Sequence, residues 1–134
     1  MIRGVGHAAI VVSDLERSVE FYRDKLGFTP VRTFERADGA KVVDLSKGPS
    51  QIGEIQLISY PAKMPADRRE PNHLGLEHIA LLVDDMDATY GELRAKEVTS
   101  FITQPTPPRP NRPRTARLLD PDGVILELIT FVQR

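Results

Sequence analysis

The sequence predicts an α+β fold made of two paired βαβββ modules, whose strands form a curved mixed sheet around a central cleft. Three observations lead to this prediction: an internal repeat, the same order of strand and helix signals in both copies, and a proline-containing connection between them. One such module cannot cover both faces of its sheet, whereas two together can close the sheet with their helices outside. We therefore predict one domain, 1–134, with repeats at about 1–60 and 74–134 and a linker at 61–73.

The repeat appears when the chain is displaced by 71 positions against itself. Residues 4–25 then lie over residues 75–96, and seven of these 22 pairs are identical. The same displacement lays IQLISY (55–60) over LELITF (126–131). Two separate blocks that share one displacement indicate a duplicated module. The identical pairs of the first block are Gly4/Gly75, His7/His78, Ala9/Ala80, Val12/Val83, Asp14/Asp85, Arg23/Arg94 and Lys25/Lys96.

Each module begins with a strand, because apolar residues dominate both GVGHAAIVV and GLEHIALLV. A helix follows in each copy. In the first, Ser13 and Glu16 have the spacing of a capping box, and Gly27 suits the helix end. In the second, Asp84 or Asp85 can form the cap. Further strands are predicted at about 30–36, 41–46 and 52–60, and at about 98–102, 114–119 and 124–132.

The composition limits the classes of function. With 18 basic and 19 acidic residues, the net charge is −1, and nothing in this balance recruits nucleic acid. No apolar run approaches the roughly 20 residues that span a bilayer, and no signal peptide is recognisable. Cysteine is absent, which excludes disulfides, thiolate nucleophiles and cysteine-bound metal. We expect a cytoplasmic homodimer that binds a small molecule and neither nucleic acid nor membrane.

Four polar residues lie among apolar neighbours in the predicted strands. His7 and His78 occupy equivalent repeat positions, as do Gln56 and Glu127. If the modules pair about a pseudo-twofold axis, these four side chains converge on it. Two imidazoles, one carboxylate and one amide oxygen suit a divalent transition metal. A single strand histidine, by contrast, is more often a hydrogen-bonded residue of a partly buried surface.

Four arginines lie in and just after a proline-rich segment. Five prolines between positions 105 and 113 predict a stiff, extended loop. Arginine suits bidentate binding of a carboxylate or phosphate, so the loop could bind an anionic substrate tail over the metal site. A solvated surface loop or a dimer contact is an equally good interpretation. The residues are Arg109, Arg112, Arg114 and Arg117.

The chain resembles the vicinal oxygen chelate superfamily, the glyoxalase/bleomycin resistance/dioxygenase fold, along essentially its whole length. The resemblance implies paired βαβββ modules and one divalent metal ion (Co, Ni, Zn, Mn or Fe) per module pair. Position by position, it implies metal ligands at His7, Gln56, His78 and Glu127. The segments that carry it are HAAIVVSDLERSVEFYRDKLGF (7–28), EIQLISYP (54–61), GLEHIALLVDD (75–85) and DPDGVILELI (120–129).

The ligand set is similar to that of methylmalonyl-CoA epimerase, whereas many bacterial glyoxalase I sequences have Glu at the position of Gln56. The epimerases also carry a catalytic carboxylate on the preceding strand, which the resemblance places at Asp44. We therefore expect a metal-dependent epimerase or glyoxalase-like lyase that acts through an enediolate or enolate. Its substrate is a small, anionic carbonyl compound or thioester, and its base is Asp44 or Glu127.

Two other classes of function stay open. His7, His78 and Glu127 alone form a two-histidine, one-carboxylate triad that suits Fe(II), which indicates an extradiol-type dioxygenase. Such an enzyme normally has further acid–base histidines, and here only His73 remains, in the linker. A non-catalytic drug- or ligand-binding resistance protein is the third possibility. Those proteins offer aromatic walls, but this chain is only 6% aromatic and lacks Trp.

Overall fold

The structure is a computed structural model, in which the chain divides into a first unit, Met1–Ala66, and a second unit, Asp67–Arg134. Both units combine a sheet with a helix, which confirms the predicted α+β class. No helix in the described ranges is both long enough and apolar enough to cross a bilayer. The residues described are 1–48, 53–63, 65, 72 and 74–131; His73 and most of the predicted linker lie outside them.

The first unit contains a four-stranded mixed sheet and one helical segment. Its elements are β1 (Ala8–Val11), α1 (Leu15–Glu20), a π-helical turn (Phe21–Lys25), β2 (Thr29–Glu35), β3 (Lys41–Ser46) and β4 (Ile55–Ser59). The strand order is β1-β4-β3-β2. β1 pairs with β4 in parallel, and the remaining neighbours are antiparallel. The sequence prediction for β3 had the same bounds, while the predicted 52–60 strand begins only at Ile55.

Helix α1 begins one residue later than a Ser13 cap requires. Asp14 is the cap, because it has extended backbone angles and its side chain accepts a hydrogen bond from the Arg17 amide at 3.0 Å. The predicted Ser13–Glu16 capping box is therefore wrong. The following π-helical turn ends before Gly27, whose φ of 78° is typical of glycine at a helix end. Within that turn Tyr22 is fully buried, with Phe28 edge-on to its ring.

The two faces of the first sheet carry different side chains: one is apolar, and the other combines apolar residues with a polar pair. One face carries Leu45 and Leu57, both completely buried. Since side chains alternate along a strand, the opposite face carries Val42, Asp44 and Gln56. A hydrophobic cluster lies on that opposite face beside the polar pair, formed by Ala40, Val42 and Ile58 together with Phe34 and Tyr60.

The second unit contains a three-stranded sheet and one helix. Its elements are β5 (Ile79–Leu82), α2 (Met86–Ala95), β6 (Arg114–Leu119) and β7 (Ile125–Thr130). The order is β5-β7-β6, with β5 parallel to β7 and β6 antiparallel to it. Asp85 caps α2 by accepting from the Ala88 amide at 2.9 Å, as one of the two predicted alternatives requires. Asp85 is the repeat equivalent of Asp14, so both helices begin in the same way.

The strand predicted at 98–102 is absent from the described part of the second unit, where only an isolated bridge joins Phe101 to Leu118. The segment still runs beside β6, but side chains make several of its bonds. Ser100 Oγ donates to the Leu119 carbonyl, and Thr103 Oγ1 accepts from the Arg117 amide. These side-chain bonds accompany backbone bonds to Arg117 and Leu119, and together they make an irregular pairing.

Candidate metal centre

The two predicted histidine ligands lie just before the first strand of each unit. His7 precedes β1 by one residue and His78 precedes β5 by one residue, so the expectation that they lie inside strands is wrong. His78 contacts Glu127, which is the cross-strand neighbour of Ala80, whereas His7 is exposed.

In the first unit, one row of the sheet brings three polar side chains together. Ala9, Gln56, Asp44 and Arg32 are successive neighbours across β1, β4, β3 and β2. We call Arg32, Asp44 and Gln56 the Gln56 cluster. Gln56 Nε2 donates to Asp44 Oδ1 at 2.9 Å, and Arg32 Nε donates to Asp44 Oδ2 at 2.8 Å.

Asp44 is the buried centre of this cluster, with only 4% of its surface exposed. A buried carboxylate is costly unless it is paired, and here a guanidinium and an amide each occupy one of its oxygens. Because a carboxylate only accepts, the amide group of Gln56 must direct its nitrogen toward Asp44. The Gln56 carbonyl oxygen, which is the atom able to bind a metal, therefore faces away from Asp44.

The second unit has the corresponding row, made of Ala80, Glu127 and Arg117. Arg117 Nε donates to Glu127 Oε2 at 2.9 Å, and Arg117 Nη1 lies 2.9 Å from Glu77 Oε1. His78 completes the group, with Nδ1 3.0 Å from Glu77 Oε1 and Nε2 3.7 Å from Glu127 Oε1. We call Glu77, His78, Arg117 and Glu127 the Glu127 cluster.

The hydrogen bonds define the tautomer of His78. Glu77 can only accept, so Nδ1 carries the proton that is shared at 3.0 Å. With the proton on Nδ1, the nitrogen left to bind a metal is Nε2. Bonds from His78 and then Arg117 lower the pKa of the Glu77 carboxyl. Hydrogen bonds to Glu127 and Glu77 raise the pKa of Arg117, so its guanidinium stays charged.

The donor atoms of the Glu127 cluster fit a divalent transition ion. Two ligands bound at about 2.1 Å lie about 3.0–3.4 Å apart, for octahedral or tetrahedral angles. The separation of His78 Nε2 and Glu127 Oε1, 3.7 Å, is only slightly wider. A carboxylate on the other ring nitrogen is the usual support of a metal-binding histidine, and Glu77 supplies it. Within either unit, no three described His, Asp or Glu side chains suffice to hold an ion by themselves.

The partner role of Arg117 was missed by the sequence analysis, which placed this residue with the loop arginines. Asp44 and Arg117 occupy corresponding places across from Gln56 and Glu127, although they are not related by the displacement of 71. The reason is that Asp44 lies 12 residues before Gln56, whereas Arg117 lies 10 before Glu127. Comparing the lengths of the two hairpins would have revealed that Asp44 and Arg117 correspond.

The four arginines of the predicted anion-binding loop have two different environments. Arg114 and Arg117 belong to β6, and both are paired with carboxylates. Arg114 makes two 2.8 Å bonds to Asp87 on α2. Arg109 and Arg112 instead face each other across a turn in which Asn111 has a φ of 58°. Both are exposed, and within the part of the chain that the structure describes neither side chain forms an ion pair.

The fold has counterparts among known proteins. The sequence profile of the Glyoxalase/Bleomycin resistance protein/Dioxygenase superfamily matches residues 4–128. The chain therefore belongs to this superfamily, as the sequence analysis expected. A solved structure with the same fold is that of the trypanothione-dependent glyoxalase I of Leishmania major, which is 26% identical. It has a TM-score of 0.73 and covers 96% of this chain and 87% of its own.

Three relatives are similar to this chain to different extents. The uncharacterized Bacillus subtilis (strain 168) protein YwkD is 34% identical over 131 residues, which are 96% of this chain and 97% of that protein. A probable lactoylglutathione lyase of Vibrio cholerae is 31% identical over 92% of this chain and 87% of its own length. The mitochondrial methylmalonyl-CoA epimerase of Mus musculus is 25% identical over 72% of this chain and 55% of its own length.

Gly53 allows the backbone to approach Asp44, and this contact yields a first prediction. A Cβ atom at Gly53 would lie 2.6 Å from the Asp44 Cβ and 3.0 Å from the backbone of Asp44 and Leu45. Gly53→Ala should therefore lower the free energy of unfolding by about 1–3 kcal/mol, as overpacking does. Gly48→Ala is the control, since its nearest atom is 3.6 Å away. Urea unfolding measures both variants, and equal midpoints would contradict the close packing.

The ion pair between Arg114 and Asp87 yields a second prediction. Hydrogen bonds from Arg114 lower the pKa of Asp87, so the pair stabilises the fold at neutral pH and loses this effect as the pH falls through the lowered value. In Arg114→Gln the pKa of Asp87 should rise toward that of an ordinary aspartate, as followed by carboxyl NMR titration. Asp38, whose pKa is lowered by Arg36, is the internal control. An unchanged Asp87 titration would show that Arg114 has no influence on it.

Proposed function

We propose that this chain is a metal-dependent enzyme of the superfamily that moves a proton next to a carbonyl group, as a glyoxalase-like lyase or an epimerase. The proposed metal ligands are His7, Gln56, His78 and Glu127. A divalent ion held there would polarise two neighbouring substrate oxygens and stabilise the enediolate or enolate charge. The proposed substrate is a small, anionic carbonyl compound or thioester.

The single observation that carries the proposal is the geometry of His78 and Glu127. They present the imidazole Nε2 and a carboxylate oxygen 3.7 Å apart on neighbouring elements. The Glu77 bond to His78 and the Arg117 bond to Glu127 leave those two atoms facing each other.

The candidate bases differ in how many of their oxygens are already engaged. Both oxygens of Asp44 accept hydrogen bonds, one from Arg32 and one from Gln56. Glu127 has only Oε2 hydrogen-bonded by Arg117, while Oε1 lies toward His78. A base needs an oxygen that can reach the substrate proton. These contacts favour Asp44 as the group that orients Gln56. They leave Glu127 as the proposed base, through the same Oε1 that is proposed to bind the ion.

The lyase and epimerase alternatives are each supported by a different finding. The Vibrio cholerae relative, a probable lactoylglutathione lyase at 31% identity, favours the lyase. The amide at Gln56 is the ligand expected of the epimerase set, and Asp44 lies directly across from it. The proposal therefore includes both reactions, and the choice of substrate in the assay separates them.

The test begins with the metal-free full chain. Titration with Zn²⁺, Ni²⁺ or Co²⁺ in a calorimeter should show binding of a divalent ion. The loaded protein should then act on the methylglyoxal–glutathione hemithioacetal or exchange the α-proton of an acyl-CoA thioester in D₂O. His78→Ala and Glu127→Gln should weaken metal binding by ~100-fold or more, because loss of a partner of a ligand alone costs about 10–100-fold. Glu92→Gln on α2 is the control.

Two outcomes would overturn the proposal. One is a wild-type chain that binds none of these ions. The other is a metal-loaded chain that is inactive with both substrate classes while His78→Ala keeps wild-type affinity. A chain that binds an organic ligand tightly without metal would favour the ligand-binding class, and turnover of a catechol with Fe(II) would favour the dioxygenase class.

Anion binding is proposed for the two exposed arginines of the turn, Arg109 and Arg112. Their guanidinium groups are not committed to ion pairs within the described part of the chain, unlike those of Arg114 and Arg117. Replacing both with Ala should raise KM by roughly tenfold with kcat unchanged, and added salt should raise the wild-type KM. Arg94→Ala is the control. A wild-type KM in the double variant would assign the turn to the solvated surface.

A further inference from the structure

We propose that Arg117 is the residue that positions both metal ligands of the second unit, which deepens the proposed function and rests on it. Its guanidinium contacts two carboxylates: Glu127, a proposed metal ligand, and Glu77, which is hydrogen-bonded to His78. Arg117 Nε holds Oε2 of Glu127, and Arg117 Nη1 holds Oε1 of Glu77, both at 2.9 Å. No other cation contacts Glu127 or Glu77 in the described part of the chain.

The first contact controls how Glu127 can bind an ion. With Oε2 engaged by Arg117, only Oε1 is left toward His78 Nε2. The carboxylate is thus held for binding through one oxygen. Because Arg117 is directly across from Glu127 in the β6–β7 register, the backbone pairing itself brings the guanidinium to this place.

The second contact controls His78 through Glu77. The Glu77 side chain is 40% exposed, so by itself it would be free to leave the imidazole for solvent. The Arg117 bond keeps Glu77 Oε1 beside His78 Nδ1, at 3.0 Å. Arg117 Nη2 itself lies 3.4 Å from Nδ1, which is a close approach rather than a bond when Nδ1 carries the proton. Arg117 therefore fixes one ligand directly and the other through an intermediate carboxylate.

Only a forked cation can perform both tasks at once. Arginine presents several N–H donors in a rigid plane, whereas lysine is a point charge on a flexible stem. A lysine at this position would keep the positive charge, but its single nitrogen could not occupy the places of both Nε and Nη1. The same contacts explain why Arg117 is a poor candidate for the substrate clamp to which the sequence analysis assigned it, since these donors are already engaged.

Arg117→Lys separates geometry from charge. In the metal-free full chain, Zn²⁺ affinity measured by calorimetry should fall about 10–100-fold in this variant. Arg114→Lys is the matched control, because Arg114 lies on the same strand and binds the single carboxylate of Asp87 with two guanidinium nitrogens. That control should lose a comparable amount of thermal stability and keep wild-type Zn²⁺ affinity. Equal Zn²⁺ affinity in Arg117→Lys and wild type would overturn the positioning role while leaving the proposed function intact.

A second measurement covers the case in which Arg117→Lys does not fold. The ¹⁵N chemical shifts of the His78 ring in the metal-free wild type report which nitrogen carries the proton. We expect the proton on Nδ1, and a proton on Nε2 would overturn the inference. A wild type that binds no divalent ion would overturn the proposed function and this inference together, whereas a wild type that binds Zn²⁺ with the other tautomer would overturn only the inference.

Discussion

The register of two antiparallel strand pairs is the constraint on which the chemistry of this protein depends. The β3–β4 pairing sets Asp44 beside Gln56, and the β6–β7 pairing sets Arg117 beside Glu127. A slip of one residue would turn these polar groups to the face where Leu57 and Leu126 are buried, which apolar packing prevents. The hydrophobic pattern of the sheets thus determines which polar groups meet.

The sequence predicted the parts of this arrangement that follow from pattern and repetition. The bounds of β3 and β6 matched the predicted ranges, 41–46 and 114–119. The displacement of 71 correctly related Gln56 to Glu127, since each is adjacent to the matching alanine of the first strand in its unit. The repeat predicts this equivalence because both units have the same pairing between their first and last strands.

The features that sequence analysis missed depend on side chains that bond outside the regular pattern. Ser100 and Thr103 bond to the backbone of β6, so a segment that looked like a strand became an irregular neighbour of one. Asp14 caps the helix instead of Ser13, and the two residues are adjacent and of equally suitable types. The role of Arg117 was hidden because its charge resembled that of nearby loop arginines, and only cross-strand pairing distinguishes it from them.

The unequal hairpins of the two units have an evolutionary consequence. The spacing between the central pair is 12 residues in the first unit and 10 in the second, a difference of two. An even change of length leaves side chains on their original face, whereas an odd change would have turned them over. After duplication, such a change could give each copy a new neighbour for its inherited polar residue without disturbing the sheet. One unit now has an acid beside an amide and the other a guanidinium beside an acid, and this difference combines hairpin length with the substitution between Gln56 and Glu127.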